Sequence, residues 1–371
     1  MNLMNRRSWL ASLCAGGAGM YATGLGGGGV NTSSRAAGSL GLGMDRPASP
    51  NEKSPAELLT PETHAAIKKA QEYLARKQVR NGKYRGAFGN NGYASGVATT
   101  SLSGLCFMGG GSVPGDGKYG KNVDMCTEYV MNNVQESGYI ALADNSVHEN
   151  MYGHGFSMLF LAQVYGMTKK RELGDKLRKA VGLTIKSQNN QGGWRYQPQP
   201  VDADLSVTIC QIMGLRAARD AGIYVPDDVR EKCIEYVKKS RSRDGSFSYM
   251  MGGGNSSLSM TAAGVTSLYS AGIYEGPEVE QGLKIIDRSR PGKVGGFGGH
   301  YFYTHYYAVQ AMWHAGGEYW NQWYPAIRDE LVRNQQADGS WSNGGGGPEY
   351  AAAMGCIILQ MPLNYLPIFA A

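Results

Sequence analysis

The sequence predicts an all-α protein, an (α/α)6 toroid built from six helix-pair repeats. Three observations support this fold: a recurring glycine–aromatic turn, an amphipathic helix before each turn, and an apolar helix after it. The turn reads Gln-x-x-x-Gly-x-Trp at Gln188–Trp194 and again at Gln335–Trp341. Partial copies centre on Gly82, Gly138, Gly245 and Gly295. A period of this length is typical of repeat architectures, in which each unit buries its apolar face against its neighbours.

The two helices of each predicted repeat differ in their apolar pattern. In the fourth repeat, Val229, Cys233 and Val237 fall on one stripe, with charged residues around the rest of the helix. That pattern predicts an outer helix with one side in water. In the third repeat, the segment 205–218 is apolar or small on every side, which predicts an inner helix buried all round. Inner helices of this kind need cover on both faces, which favours a closed ring over an open solenoid.

The composition excludes several classes of protein. Gly is abundant, at 54 of 371 residues, but without a Gly-X-Y period, so the chain is not collagen-like. The net charge is +6 and no Lys/Arg-rich run occurs, so nucleic acid is not an expected partner. The six cysteines include no Cys-x-x-Cys pair, and we expect buried free thiols. No metal and no cofactor is predicted.

The N-terminal segment has the features of an export signal. Arg6 and Arg7 precede a weakly apolar, glycine-rich stretch, a combination that favours a twin-arginine signal over a Sec signal. The sequence therefore predicts a signal peptide over residues 1–38, a flexible linker over 39–60 and the toroid over 61–371. The expected location is the periplasm.

Polar residues cluster in the loops that lead into the inner helices. In a toroid these loops open on the central cavity, where ligands are expected to bind. His154 lies between two glycines at a helix entrance and is a candidate catalytic base. The candidate substrate-binding residues are Glu149, Tyr152, Arg195, Tyr303, His305, Tyr306 and Tyr350.

The repeated turns resemble those of squalene–hopene cyclases, oxidosqualene cyclases and the β subunits of protein prenyltransferases, over roughly residues 62–369. The segment 202–206, Asp-Ala-Asp-Leu-Ser, resembles the Asp-x-Asp-Asp-Thr motif of squalene–hopene cyclases, whose middle Asp protonates the substrate alkene. The resemblance implies that Asp204 is the catalytic acid and Asp202 its neighbour. Leu205 and Ser206 depart from the motif, which has Asp and Thr there. The residues also fit a simpler interpretation, with Asp202 as a helix N-cap and Asp204 in the first turn.

The resemblance to prenyltransferases does not extend to their zinc site. Their Asp-x-Cys ligand pair would fall near residues 254–259, a segment that contains neither Asp nor Cys. A zinc site needs three or four good ligands. We therefore expect neither zinc nor protein prenylation.

The function that these features predict is that of an exported, squalene-cyclase-like protein. It would bind or act on a small apolar polyprenoid or triterpenoid in its central cavity, by acid-initiated cyclisation if it is an enzyme, and a peripheral membrane contact is a further expectation. One alternative is a carbohydrate-active lyase or hydrolase, which would use His154 or His305 with a Tyr, or Asp204 paired with Glu149 or Glu349. Another is a non-catalytic binding or scaffold toroid. An apolar lumen favours the first function, a polar cleft the second, and a lumen filled by side chains the third.

Overall fold

The structure is a computed structural model that describes residues 53–89, 96–142, 150–253, 255–292, 300–342 and 345–369. Within these ranges the chain is all-helical, with isolated β-bridges and no strand. The predicted signal peptide and most of the predicted linker lie outside the described residues. The last residues of that linker are packed, because a short helix, α1 (Pro55–Leu58), buries Leu58 and the adjacent Leu59.

The longer helices of the described ranges alternate between an outer and an inner layer. The outer helices are α2 (Pro61–Lys77), α4 (Gly120–Asn132), α6 (Arg171–Ser187), α8 (Asp227–Lys239), α10 (Pro277–Arg288) and α12 (Gly317–Asn334). The inner helices are α3 (Gly96–Gly109), α5 (Met151–Thr168), α7 (Leu205–Asp220), α9 (Leu258–Ser270), α11 (Tyr301–Ala315) and α13 (Pro348–Gln360). The prediction of six helix pairs in an all-α toroid is confirmed.

The two layers differ in burial as their sequences predict. Outer helix α8 buries only Val229, Cys233, Tyr236 and Val237, which form the stripe expected from their spacing. Inner helix α3 buries all of its residues. The core of the protein therefore lies between and inside the inner helices, and the outer helices shield it from water.

The ring is closed by the same contact that joins neighbouring repeats. The motif glutamine Gln188 donates its Nε2 to the Val229 carbonyl, in the next outer helix, at 2.9 Å. In the last repeat, Gln335 donates its Nε2 to the Ala66 carbonyl of α2, in the first outer helix, also at 2.9 Å. Inner helix α13 likewise packs against α3. The last repeat thus contacts the first in the same way as the third repeat contacts the fourth, as a closed ring requires.

The first repeat departs from the predicted alignment. Tyr84 is exposed, and a Cβ on Gly82 would meet nothing within 4 Å. A Cβ on Gly86 would lie 2.2 Å from the Met125 carbonyl oxygen, so Gly86 is the glycine that packs against the next outer helix. Phe88 is the buried aromatic residue of this turn. The alignment on Gly82 is wrong by four residues because the loop after the motif glutamine is longer here.

Candidate functional site

The candidate site lies where the inner helices begin. Outer and inner helices alternate, so the inner helices run parallel and their N-termini share one end of the ring, which we call the mouth. Side chains cap three of these N-termini: Asn150 caps α5, Asp204 caps α7 and Ser257 caps α9. The partial positive charge of several helix N-termini makes the mouth a favourable place for polar and anionic groups.

Asp204, the predicted acid, is the N-cap of α7. Its Oδ1 accepts hydrogen bonds from the Val207 backbone N–H at 2.9 Å and from the Ser206 hydroxyl at 2.6 Å. The interpretation that Asp202 is the cap and Asp204 a first-turn residue is therefore wrong. Asp202 lies before the helix, exposed, and pairs with Arg195 at 2.7 Å. The cap position is decided by which carboxylate reaches the free N–H groups of the first turn.

The Asp204 carboxyl is buried beside a cation. It has no solvent exposure, and its Oδ2 lies 3.8 Å from Nε of Arg195. Burial raises the pKa of Asp204 above its ordinary value, against the lowering effects of the Ser206 and Val207 hydrogen bonds and of Arg195. The charged form is thus disfavoured by burial and favoured by its partners, with burial the larger effect.

Arg195 also contacts two tyrosine rings; we call Arg195, Tyr196 and Tyr249 the Arg195 cluster. The guanidinium carbon lies 5.3 Å from the centre of the Tyr196 ring and 5.9 Å from that of Tyr249, as in cation–π contacts. The two tyrosine hydroxyls are hydrogen bonded to each other. Tyr196 is 37% exposed, so this cluster presents an aromatic ring to solvent.

A chain of hydroxyls links Asp204 to the neighbouring inner helix. Ser206 donates to Asp204, and the Ser206 and Tyr152 hydroxyls are hydrogen bonded to each other. Burial raises the pKa of the Tyr152 phenol. Of the predicted site residues, the structure therefore brings together Asp202, Asp204, Arg195, Tyr152 and Tyr303.

Aromatic side chains fill the space enclosed by the inner helices, the ring centre, just inside the mouth. The ring of Tyr152 lies 6.4 Å from that of Tyr303, and the ring of Phe156 lies 5.9 Å from that of Tyr306. Both contacts join α5 to α11, which are opposite each other in the ring of inner helices. Side chains of opposite helices thus touch at the level of their first two turns.

Polar contacts join two tyrosines of α11, Tyr303 and Tyr307, to α7. The Tyr303 hydroxyl donates to the Ser206 carbonyl at 2.9 Å, and the Tyr307 hydroxyl lies 3.2 Å from the Cys210 Sγ. Tyr307 is fully buried, and Tyr303 nearly so. In the part of the chain that the structure describes, protein atoms occupy the place of the predicted central cavity at this level.

His154 does not reach this cluster. Its Nδ1 accepts a hydrogen bond from the Ile140 N–H at 3.2 Å, and its Nε2 lies 2.8 Å from the Thr184 hydroxyl of outer helix α6. In the third repeat, Thr208 holds the same position and accepts from the Trp194 N–H at 3.1 Å. His154 therefore has a structural role: it accepts from the turn at Ile140 and, with its proton on Nε2, donates to Thr184 of α6. Burial lowers its pKa to about 4.

Two other predicted residues also face outer helices. The ring of His305 lies 5.8 Å from that of Trp323 in α12, and burial lowers its pKa to about 4. Glu349 is buried, and after burial its charge is the next cause that raises the pKa of Tyr73 in α2. Neither contact leads to Asp204, so the predicted Asp204–Glu349 pairing is not formed. The tyrosine beside His305 is Tyr301, whose ring centre lies 4.4 Å from that of the imidazole. Tyr350 is buried in the first turn of α13.

One predicted residue cannot be placed, and two potential features are absent where the chain is described. Glu149 lies outside the described residues. Among the described residues, no group of three or more His, Cys, Asp or Glu side chains is arranged to hold a metal ion. No described helix is long and apolar enough to cross a membrane.

Sequence reasoning missed Tyr249, although a signal for it was present. Tyr249 follows the turn residue Phe247 by two places, as Tyr196 follows Trp194 in the preceding repeat. Aligning the repeats two residues further would have placed both tyrosines at the mouth. The role of Ser206 as a bridge between Tyr152 and Asp204 had no such signal.

No protein-family model and no curated protein matches the chain. Solved structures do match. A GH76 α-mannanase from Bacteroides thetaiotaomicron is 12% identical, with a TM-score of 0.59, over 84% of this chain and 98% of that chain. Type II terpene cyclase MstE from Scytonema is 12% identical, with a TM-score of 0.58, over 83% of this chain and all of that chain. Cellobiose 2-epimerase from Bacillus thermoamylovorans is 11% identical, with a TM-score of 0.58, over 80% of this chain and 98% of that chain.

These similarities support the α/α toroid fold. The similar proteins include a terpene cyclase and carbohydrate-active enzymes, and one fold commonly hosts unrelated functions. The substrate class of this protein must therefore be argued from its own residues.

Proposed function

We propose that this protein is an exported, non-catalytic binding toroid that takes its ligand at the mouth. The observation that carries the proposal is the pair of aromatic contacts between the opposite helices α5 and α11. Pockets that enclose small molecules have volumes of about 300–1,000 Å³. The rings of Phe156 and Tyr306, at 5.9 Å, already touch across the space where an enclosed polyprenoid would have to lie.

The mouth offers the chemistry of a polar binding surface. Tyr196 presents a partly exposed ring, Arg195 a cation and Asp202 an exposed carboxylate, all within one cluster. A tyrosine ring combines an apolar face with a hydroxyl, and a charged pair beside it supplies donors and acceptors. These groups together suit a saccharide, which has apolar C–H faces and hydroxyl edges.

Ligand titration tests the proposal. Mannotriose, cellobiose and geranylgeraniol would be titrated separately into the full chain by calorimetry, with thermal shift as a second readout. We expect one of the saccharides to bind and Tyr196→Ala to weaken that binding at least tenfold. Tyr224→Ala is the matched control, because Tyr224 is 82% exposed at the other end of the ring. Saccharide binding that Tyr196→Ala leaves unchanged, or no binding of either saccharide, contradicts the proposal.

A second candidate function is acid-initiated cyclisation of a polyprenoid by Asp204. The observation that favours it is the raised pKa of this buried carboxyl beside Tyr152 and Tyr303, whose ring faces would stabilise a carbocation. The reaction requires both tyrosines to move away from the ring centre. Incubation with squalene or geranylgeraniol, followed by mass spectrometry, should then yield a cyclic product that Asp204→Asn abolishes. Absence of product from the unmodified protein counts against this candidate.

The export part of the proposal rests on the first residues of the chain. Residues 1–38 would be fused to a reporter that is active only after transport of the folded protein. We expect export of the reporter, and its loss when Arg6→Lys and Arg7→Lys are combined. Export that survives this double substitution contradicts the twin-arginine assignment.

A further inference from the structure

A groove on the outer surface of the first repeat gathers three cationic side chains. It has a volume of about 270 Å³, is open to solvent, and lies between the end of α2 and the residues that lead into α4. Its charged lining residues are Arg76, Arg80, Lys118 and Glu72. Three cations and one carboxylate give this groove, which we call the Arg76 groove, a net charge of +2.

Neutral backbone oxygens hold both guanidinium groups in place. The Nη2 of Arg76 donates to the Asp338 carbonyl at 2.8 Å, and the Nη2 of Arg80 donates to the Ala75 carbonyl at 2.6 Å. The Asp338 carboxylate is bonded instead to the N–H and the hydroxyl of Ser340, through Oδ1. A carbonyl fixes a guanidinium without neutralising its charge, and each guanidinium has five N–H donors. Because both arginines are exposed, their remaining donors are open to a ligand.

The third cation belongs to the loop before α4. The Nζ of Lys118 lies 3.1 Å from the Glu72 Oε1 and 5.1 Å from the centre of the Tyr119 ring. Tyr119 also lines the groove, and its hydroxyl is buried with no acceptor for it among the described residues. A ligand oxygen beside Lys118 would supply that acceptor.

We propose that the Arg76 groove binds a dianionic phosphate group, carried either by a soluble phosphate ester or by the headgroup of phosphatidic acid. A phosphate monoester carries about two negative charges above pH 7, which match the charge of the groove, whereas a carboxylate carries only one. Guanidinium groups present paired N–H donors that fit two phosphate oxygens. The groove shares no residue with the Arg195 cluster, so this site is additional to the one proposed at the mouth.

Two titrations of the full chain at constant ionic strength test the groove and identify the source of the phosphate. Glycerol 3-phosphate would be titrated by calorimetry, with glycerol as the blank. Vesicles of phosphatidylcholine, with and without phosphatidic acid, would be tested by co-sedimentation. Binding of glycerol 3-phosphate supports a soluble ester, and binding only to vesicles that contain phosphatidic acid supports the lipid headgroup. Absence of binding in both titrations overturns the proposal.

Three variants assign the binding to this groove. Arg80→Ala should weaken it about fivefold by removing one charge close to the phosphate. Arg85→Ala is the matched control and should change it less than about twofold, because Arg85 is already paired with Glu128. Glu72→Gln should strengthen it about threefold, because it raises the net charge of the groove and releases Lys118.

The gain expected in Glu72→Gln separates a binding site from a structural role, since a damaged fold would not bind phosphate more tightly. The proposal is overturned if Arg80→Ala leaves binding unchanged, if Arg85→Ala weakens it as much as Arg80→Ala does, or if Glu72→Gln does not strengthen it.

Discussion

The third and fourth repeats begin their inner helices in the same way. Asp204 caps α7 and Ser257 caps α9, each by accepting from the backbone N–H three residues on. In both repeats a threonine hydroxyl donates back to the carbonyl of the cap residue, Thr208 at 2.7 Å and Thr261 at 2.8 Å. This shared geometry shows that an oxygen acceptor at the cap belongs to the repeat itself.

The two repeats differ in what surrounds the cap. Ser257 is neutral, whereas Asp204 is a buried carboxyl with Arg195 at 3.8 Å and the Tyr152–Ser206 hydroxyl chain beside it. Capping needs a side-chain oxygen but neither a charge nor a cation nearby. The comparison therefore shows that the fold uses the acceptor oxygen of Asp204 but needs neither its charge nor the Arg195 cluster. The charge and the cluster are thus the features that a function would use.

The largest effect is expected at the aromatic residues of the two turns. Trp194 and Phe247 are both fully buried, so Trp194→Ala and Phe247→Ala should each lower the free energy of unfolding by roughly 3–5 kcal/mol. Trp194 also donates its Nε1 to the Thr184 carbonyl at 2.7 Å. Trp194→Phe should therefore cost more than the lost hydrogen bond, about 1 kcal/mol, but less than the alanine variant. Urea unfolding measures the free energy of unfolding of all three variants. If Trp194→Phe is as unstable as Trp194→Ala, packing around the indole ring contributes more to stability at this position than the turn does.

The next effect depends on pH and extends the comparison to the second repeat, where His154 replaces Thr208. The pKa of His154 falls from 6.5 in the unfolded chain to about 4 in the folded protein. As the pH is lowered, the unfolded chain therefore binds a proton at a higher pH than the folded protein does. The contribution of His154 to the free energy of unfolding is therefore complete above pH 6.5. As the pH falls towards 4, this contribution is lost, by about 3 kcal/mol. His154→Thr should remove that part of the acid sensitivity in pH-dependent unfolding. His64→Gln, at an exposed position, is the control and should change nothing. An unchanged pH profile in His154→Thr would contradict the buried neutral imidazole.

The caps themselves should give a smaller effect. Ser257→Ala should cost about 1 kcal/mol and Asp204→Ala about 2 kcal/mol, because the latter also leaves Ser206 without its acceptor. Asp204→Asn keeps the acceptor oxygen and removes a buried charge, so its stability should stay within about 0.5 kcal/mol of the unmodified protein. Thermal and urea unfolding check this order. If Asp204→Asn costs as much as Asp204→Ala, the carboxylate charge itself stabilises the fold.

The smallest effect is expected at Asp202. Its ion pair with Arg195 is partly exposed, with side-chain exposures of 51% and 25%, and such pairs contribute little to stability. Asp202→Ala should therefore change the free energy of unfolding by less than about 0.5 kcal/mol. A loss of 1 kcal/mol or more would be the signature of an N-cap, and would reverse the assignment of the cap to Asp204.

The fold was predictable from sequence because its signals are local and repeated. The first residue of α7, Leu205, and the apolar stripe of α8 follow from helical periodicity alone. The closing bond from Gln335 to α2 follows from the equivalent bond of Gln188, once a closed ring is assumed.

The site was less predictable because it depends on where side chains point in three dimensions. Asp202 and Asp204 are both suitable caps by residue type, and only the backbone decides between them. His154 was a candidate base at a helix entrance between two glycines, a position that would be open to a substrate if the glycines left space beside it. A Cβ on Gly155, however, would lie 2.7 Å from that of Cys210, so this glycine serves the close packing of α7 on α5. Short sequence patterns do not separate a glycine that opens a path from one that lets two helices touch.

The bond between Gln335 and Ala66 also determines how the molecule can come apart. An open array of repeats has end units with one neighbour each, and these fray first. In this ring each repeat has two neighbours, so the loss of any one repeat breaks two interfaces at once. Global unfolding should therefore be highly cooperative, with the slowest-exchanging backbone amides spread over all the inner helices and with no repeat that opens before the others.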